Sequence, residues 1–213
     1  SGLITANATI AGAKVTSVEI EMPKSFLEHS DLEIYVNGIG KVKVDVAFGG
    51  CYFVLVDIAQ LQIEICNQNA EKLVSLGKAI KDAASEQITV QHPEFNELNS
   101  IEYTMFVEKS LPQIKTSTIL YPGRVDRSPC GTGTSAQLAA LIAKEEVNSD
   151  QEITSESIIG GQFFANTKKH LKCGSRDAIV STIRGRAWIY GKTEFLIDQS
   201  DPFLSGYTLS DTW

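Results

Sequence analysis

Apolar and polar residues alternate in short runs through the first 48 residues, and the alternation predicts half-buried antiparallel strands. The run at residues 41–48 is preceded by Asn37 and Gly38, which favour positive φ and predict a tight hairpin. Pro23 has no N–H to give to a sheet, so it is predicted to end the second strand. The predicted strands of this region cover residues 3–10, 14–22, 32–36 and 41–48.

Three segments have a helical pattern instead: a short apolar stretch and two longer helices. Asp57 is a candidate N-cap for the short apolar stretch at residues 58–65. The next segment is amphipathic, which predicts a helix with one face on the core. A second helix is predicted at residues 135–146, where the sequence is SAQLAALIAKEE. The apolar stripe of the first helix consists of Leu73, Leu76, Ile80 and Ala84.

Strand patterns return between and after the two helices. The resulting order is strands, helix, strands, helix, strands, without the regular alternation of a Rossmann sheet. We therefore predict an α+β fold in which a curved antiparallel sheet wraps around a central helix. Gly12, Gly160 and Gly161 are predicted to be turn or bulge residues. The later predicted strands cover residues 87–91, 100–107, 115–121, 156–166, 177–190 and 192–198, the last two joined at Tyr190 and Gly191.

Composition indicates a compact protein with a small-molecule ligand. The chain has 213 residues, is 43% hydrophobic and carries a net charge of −7. An acidic protein is not attracted to nucleic acid or to an anionic membrane surface. The chain has no apolar run long enough to span a bilayer and begins without the pattern of a signal peptide, so we expect a cytoplasmic protein.

The cysteines and histidines are widely spaced. The four cysteines form no CxxC pair, and the three histidines lack the spacing that places two metal ligands on one helix face. The sequence therefore predicts free thiols and neither a metal site nor a disulfide framework.

The most informative segment is DRSPCGTGTSA at residues 126–136, between a predicted strand and a predicted helix. Gly131 and Gly133 leave backbone N–H groups accessible at the start of that helix, where an anion such as a carboxylate can bind. At a helix start we expect the pKa of Cys130 to fall from about 8.5 toward roughly 3.5–7.5. A glycine turn with only a structural role is the alternative.

Two reactions suit a thiolate beside an anion site. One is nucleophilic attack on an acyl carbon, and the other is general-base removal of a proton next to a bound carboxylate. A cysteine hydrolase needs an imidazole base, and none lies nearby in sequence, although His92 or His170 could approach in space. Proton abstraction needs only a second acid on the opposite face of the carbon.

This segment, with Cys130 at its centre, resembles the second cysteine motif of the proline racemase family. The resemblance extends over essentially the whole chain and implies a two-lobed diaminopimelate-epimerase-like fold with the active site between the lobes. Further matching segments, in family order, are GLITA at residues 2–6, DVAFGG before Cys51, VQHP around His92, ESIIGGQF at residues 156–163 and SDPFLSGYTL at residues 200–209.

The resemblance assigns residues 1–199 to the second, C-terminal catalytic lobe. Residues 200–213 are expected to form a tail that returns to the first lobe. The methionine-cysteine-glycine-histidine motif of the family's first lobe has no match here, so we expect the chain alone to be inactive. Cys51 is interpreted as a buried core thiol, and Cys66 and Cys173 are not candidates for catalysis.

The resemblance also implies an isomerase that uses two thiols and no cofactor, Cys130 being one base. Its substrate is a small molecule, proline or hydroxyproline. Gly131 and Thr132 would hold the substrate carboxylate. Asp126 would receive the ring ammonium, although it could equally be a capping residue of the turn.

Two positions bear on the choice of substrate. Tyr103 is expected to face the pocket, and Leu120 stands where racemases of the family tend to carry phenylalanine, so we favour 4-hydroxyproline. A buried structural tyrosine is the alternative for Tyr103.

Two further functions are alternatives. Family members that dehydrate trans-3-hydroxyproline carry threonine where Cys130 stands, so cysteine favours epimerisation. A non-catalytic lobe that only binds amino acids is the other alternative. A homodimer of the full-length protein is left open.

Overall fold

A computed structural model describes residues 4–207 of the chain. It contains ten strands and two α-helices, the helices being α1 Ala70–Gln87 and α2 Gly131–Ala143. The strands are β1 Ala6–Ala11, β2 Lys14–Val36, β3 Gly40–Phe48, β4 Tyr52–Asp57, β5 Ile101–Ser110, β6 Gln113–Leu120, β7 Arg124–Val125, β8 Ile153–Ser157, β9 Gln162–Cys173 and β10 Arg176–Gly185. None of the helices in the described part is long and apolar enough to cross a membrane.

The strands form one sheet that curls until its two ends meet. Its order is β1-β2-β10-β9-β8-β6-β5-β4-β3, and β3 also pairs with β2, which closes the circuit. Strand β7 is added beside β6. All pairs are antiparallel except β4 with β5 and β6 with β8. The predicted α+β class and curved sheet are confirmed, with two parallel pairs in a sheet predicted to be antiparallel.

Helix α2 lies inside the closed sheet, as predicted for the central helix. Every residue from 133 to 141 is buried, in agreement with a helix that is apolar on nearly all sides. Its core includes Leu138 and Leu141 from the helix and Phe53 and Ile153 from the sheet. The helix begins at Gly131, four residues before the predicted start, so the cysteine motif runs directly into it.

Helix α1 covers the outer face of the sheet. Leu73, Ile80 and Ala84 of the predicted stripe are buried there, and Leu76 is half-buried. Gly77 lies so close to β6 that a Cβ atom on it would stand 2.5 Å from Ile119 Cγ1.

Several local predictions about caps and turns are confirmed. Asp57 caps a short 3₁₀ turn, Ile58–Leu61, by accepting the Ala59 N–H at 3.0 Å. Gly38 in the hairpin has φ of +76°. Gly12 and Gly160 also occupy turns with positive φ, and Gly161 donates its N–H to Ser157 Oγ within the second of these turns.

Pro23 does not end a strand. Strand β2 continues through it, so two predicted strands form one strand of 23 residues. Met22 and Pro23 together lie opposite the single residue Ser181, between the pairs Glu21 with Thr182 and Lys24 with Val180. A bulge of this kind needs no ladder N–H from proline, which explains why the strand tolerates it.

Other strand predictions are wrong in whole or in part. The strand predicted at residues 87–91 does not form: Gln87 ends α1, residues 88–91 are not a strand, and β5 occupies the position beside β4. The strand predicted at residues 156–166 is interrupted: residues 156–157 end β8, residues 162–166 begin β9, and residues 158–161 form the hairpin turn between them. Strand β10 ends at Gly185, and residues 186–198 form no strand because no strand of the described part pairs with them.

Candidate functional site

The turn before α2 is built from side chains that cap backbone groups two residues ahead. The Ser128 N–H donates to Asp126 Oδ1 at 2.8 Å, and the Cys130 N–H donates to Ser128 Oγ at 3.0 Å. The Asp126 N–H donates to the carbonyl of Thr118 on β6 at 2.9 Å. Asp126 therefore has the capping role that was one of its two predicted roles. Ser128 was missed, although a serine two residues before the cysteine is a recognisable signal for such a turn.

Cys130 is the N-cap of α2 and has a left-handed backbone, with φ of +62°. Residues other than glycine rarely adopt this backbone conformation, and those that do are concentrated at functional sites. Thr134 holds the turn in two ways: its N–H donates to the carbonyl of Cys130 at 2.8 Å, and its hydroxyl donates to that of Pro129 at 3.0 Å.

The sulfur of Cys130 faces the interior, and the residue as a whole is 7% exposed. Thr132 Oγ1 lies 3.7 Å from Sγ. Burial raises the pKa of Cys130, while the Gly133 N–H and the Thr132 and Thr118 hydroxyls, which favour the thiolate, oppose the rise. The expected lowering of the pKa is therefore wrong for this chain, since loss of water outweighs the helix start.

The first N–H groups of α2 remain available beside the sulfur. Gly131 and Thr132 are the first two helical residues, so their N–H groups have no partner within the helix. Both residues are half-buried. Elsewhere in residues 4–207, no acceptor is bonded to either group. The predicted carboxylate-binding residues thus present two free donors next to Cys130.

Cys51, interpreted as a core thiol, packs against the core around α2 and also lies near Cys130. It is only partly buried and follows the Gly49-Gly50 turn, which packs against the start of α2. Burial, with smaller contributions from nearby Cys130 and Glu102, raises the pKa of Cys51 to about 12, while a hydrogen bond with Thr132 opposes the rise. The two sulfurs therefore flank the Thr132 side chain, a proximity that no local signal in the sequence indicates.

Tyr103 and Leu120, the two residues predicted to set substrate choice, lie in different surroundings. Tyr103 is half-buried, its ring centre is 5.6 Å from that of Phe53, and burial together with nearby Cys51 raises its pKa. Leu120 lies at the end of β6 and pairs with Arg124 on β7. It borders a small cavity of about 40 Å³ beside α1, and Cys130 is not part of that lining.

Neither histidine named for the hydrolase alternative is bonded to Cys130. His92 is buried, its Nδ1 accepts the Glu94 N–H at 3.1 Å, and its Nε2 lies 3.8 Å from Cys173 Sγ. Burial lowers the pKa of His92. His170 is exposed on β9.

A curved sheet closed around one helix, with a cysteine turn at the helix start, is a diaminopimelate-epimerase-like lobe. Within that class the chain belongs to the proline racemase family, because the family model described as Proline racemase matches residues 1–208.

Characterised relatives and solved structures agree with this assignment. The 4-hydroxyproline 2-epimerase of Agrobacterium fabrum strain C58 is 36% identical over 214 residues, which cover 100% of this chain and 62% of the relative. The crystal structure of a hydroxyproline epimerase from Agrobacterium vitis, with bound trans-4-hydroxy-L-proline, has a TM-score of 0.88 and 37% identity, covering 100% of this chain and 61% of that one. The structure of a probable proline racemase from Agrobacterium radiobacter K84, with bound carbonate, has a TM-score of 0.87 and 35% identity, covering 100% and 63%.

The chain therefore spans about three fifths of the length of these relatives.

Proposed function

We propose that this chain is the second catalytic lobe of an isomerase that inverts the α-carbon of 4-hydroxyproline or proline, with Cys130 as one of two proton-transferring thiols. The observation that carries the proposal is that Cys130, whose Sγ lies 3.7 Å from Thr132 Oγ1, directly precedes the free N–H groups of Gly131 and Thr132 at the start of α2. The names of the relatives support the substrate class.

The raised pKa of Cys130 suits the acid in a two-thiol reaction. In one direction the Cys130 thiol donates its proton to one face of the α-carbon, while a thiolate outside these 213 residues removes the proton from the other face. One C–H bond breaks as the other forms, and no oxidation or reduction occurs. In the reverse direction the Cys130 thiolate is the base, so no cofactor takes part.

The N–H groups of Gly131 and Thr132 would hold the substrate carboxylate and stabilise the negative charge that develops in the transition state. Asp126 uses Oδ1 to accept the Ser128 N–H, so its other carboxylate oxygen would receive the ring ammonium.

We further propose that residues 1–199 form this lobe and that residues 200–213 return to a first lobe. Ile189, Tyr190, Phe195 and Leu196 support the proposal, since these apolar side chains are exposed just before the tail. Residues 208–213 of the tail lie outside the described residues. The cytoplasmic location and the homodimer stay predictions.

Substrate preference is proposed to depend on Tyr103 and Leu120. The hydroxyl of Tyr103 would supply the polar contact that favours 4-hydroxyproline, since a purely apolar pocket discriminates against a hydroxyl by only about a hundredfold. In the complete protein, Tyr103→Phe should lower the ratio of hydroxyproline to proline turnover. An unchanged ratio would remove Tyr103 from substrate recognition.

Calorimetry on the 213-residue chain tests the carboxylate site. Pyrrole-2-carboxylate, a planar mimic of the carbanion, should bind more tightly than proline, whereas a lobe that only binds amino acids should not prefer it. Gly131→Pro removes one N–H at a helix position that tolerates proline, and should bind the mimic about tenfold more weakly than Gly131→Ala, which keeps the N–H. Equal affinities would exclude this N–H from the site.

Activity assays test the thiol. The 213-residue chain should invert neither substrate, because one face of the carbon has no acid. In the complete protein, Cys130→Ser should abolish inversion, and Cys66→Ser, remote from the site, should retain it. Inversion by the 213-residue chain that depends on Cys130 would refute the two-lobe mechanism.

A further inference from the structure

A buried hydroxyl lies behind the candidate site. Thr118 on β6 is 1% exposed, and its Oγ1 has no hydrogen-bond partner in the described part of the chain. The neighbouring Ser117 Oγ is also buried and unpaired. Hydroxyl groups shielded from water are normally hydrogen-bonded, so each of these calls for a physical reason.

The sheet register shows which way Thr118 points. Thr118 lies opposite Met105 across β5 and β6, and paired residues project from the same face of a sheet. Met105 belongs to the core inside the closed sheet. A Cβ atom on Gly133 would lie 3.2 Å from Cys130 Sγ and also 3.2 Å from Met105 Sδ, so both sulfurs lie close to Gly133 in this core. Thr118 therefore faces the interior that contains the Cys130 sulfur.

Ser117 points the other way. It is paired with Phe106, which belongs to the core between the sheet and α1. The two adjacent residues thus carry similar buried, unpaired hydroxyls on opposite faces of one strand.

The backbone of Thr118 is tied to the cysteine turn. Its carbonyl accepts the Asp126 N–H at 2.9 Å. The Asp126 side chain accepts the Ser128 N–H, and the Ser128 side chain accepts the Cys130 N–H. The strand and the turn are therefore held together at a fixed separation.

We propose that Thr118 is a positioning residue that donates its hydroxyl hydrogen to the Cys130 thiolate when the thiolate forms. The proposal rests on the proposed function, in which Cys130 alternates between thiol and thiolate. A thiol is a weak acceptor, whereas a thiolate is a strong one, which explains a hydroxyl that has no partner while the sulfur is protonated. Donation from Thr118 to the thiolate opposes the rise that burial causes in the pKa of Cys130, in agreement with this geometry.

The test uses Thr118→Val, which keeps the shape of the side chain and removes the hydroxyl. The rate of iodoacetamide alkylation is measured against pH in the 213-residue chain, with peptide mass spectrometry to assign the product to Cys130. Loss of the bond should reduce this rate about tenfold at pH values where the thiol is protonated. Thr118→Ser keeps the hydroxyl and should restore most of the rate.

Ser117→Ala is the matched control, because it removes a buried unpaired hydroxyl from the opposite face. It should leave the pH profile of Cys130 unchanged. An unchanged profile in Thr118→Val, or an equal change in Ser117→Ala, would overturn the proposal. Should Thr118→Val not fold, Thr118→Ala serves for the same comparison with Thr118→Ser.

Alkylation requires no substrate, so this result is separate from that of the proposed function. A changed profile in Thr118→Val together with no inversion of proline or hydroxyproline by the complete protein would reject the isomerase and keep the role of Thr118. Inversion that depends on Cys130, together with an unchanged profile in Thr118→Val, would keep the isomerase and reject the role of Thr118.

Discussion

Gly133 approaches the sulfur of Cys130 so closely that a Cβ atom on Gly133 would lie 3.2 Å from Sγ. At Gly131, the nearest atom to an added Cβ is Met22 Cε at 3.9 Å, which is ordinary contact. The two glycines stand in the same helical turn, so they separate the effect of space from that of helix propensity.

We therefore predict that Gly133→Ala is about 1–3 kcal/mol less stable than Gly131→Ala, because the added methyl group overpacks the sulfur and Met105. Both variants gain the same helix propensity, which cancels in the comparison. Urea unfolding measures the difference. Equal stabilities would mean that the sulfur moves aside without cost.

The turn between β3 and β4 gives a second prediction. A Cβ atom on Gly49 would lie 2.1 Å from the Thr132 carbonyl oxygen, so Gly49→Ala must displace the turn from α2. We expect a loss of about 1–3 kcal/mol in the free energy of unfolding. Gly191→Ala is the control, since nothing lies within 4 Å of its added Cβ, and a comparable loss there would contradict the explanation.

The ion pair between Arg176 and Glu28 is the subject of the third prediction. The Glu28 side chain is 4% exposed, and the Tyr52 hydroxyl lies 3.4 Å from its Oε2. Arg176→Met leaves this carboxylate buried without its cation, which should cost about 3 kcal/mol in thermal or urea unfolding.

Two controls accompany that variant. Adding Glu28→Gln to Arg176→Met removes the stranded charge and should recover most of the loss. Asp177→Asn breaks the exposed pair of Lys172 and Asp177 and should cost less than about 1 kcal/mol. A double variant as unstable as Arg176→Met would show that packing of the arginine, and not its charge, stabilises this region.

The buried thiol of Cys51 should make the stability of the protein depend on pH. Burial raises the pKa of Cys51 to about 12, against an ordinary value of 9.0. Between these two pH values the unfolded chain has lost a proton that the folded chain keeps, so stability falls as pH rises. The contribution is complete below about pH 9 and is lost on the way to pH 12.

Urea unfolding at pH 8, 9 and 10 measures this decline. Cys51→Ser removes the titrating group, so its stability should fall less steeply than that of the unsubstituted chain. Identical slopes would show that Cys51 ionises as easily in the folded protein as in the unfolded one.

Local signals predicted the elements that depend on neighbouring residues. The hairpin at Gly38, the cap at Asp57 and the stripe of α1 each follow from residues a few positions apart. The same holds for the turn at Cys130, where each capping side chain acts on a backbone group two residues away.

Predictions that needed a distant partner were the ones that were wrong. The alternating pattern of residues 192–198 is that of a strand, but a strand forms only where another backbone supplies its hydrogen bonds. Pro23 is tolerated in β2 because Ser181, far along the chain, lies opposite a bulge.

The sequence by itself determined the fold class, the family and the cysteine turn, because these depend on residue patterns and on bonds within a few positions. Only the tertiary structure decided that Cys51 flanks Thr132, that Thr118 faces the interior containing the Cys130 sulfur and that burial raises the pKa of this thiol. These properties depend on which distant residues exclude water from the sulfur, and the closure of the sheet around α2 sets that arrangement.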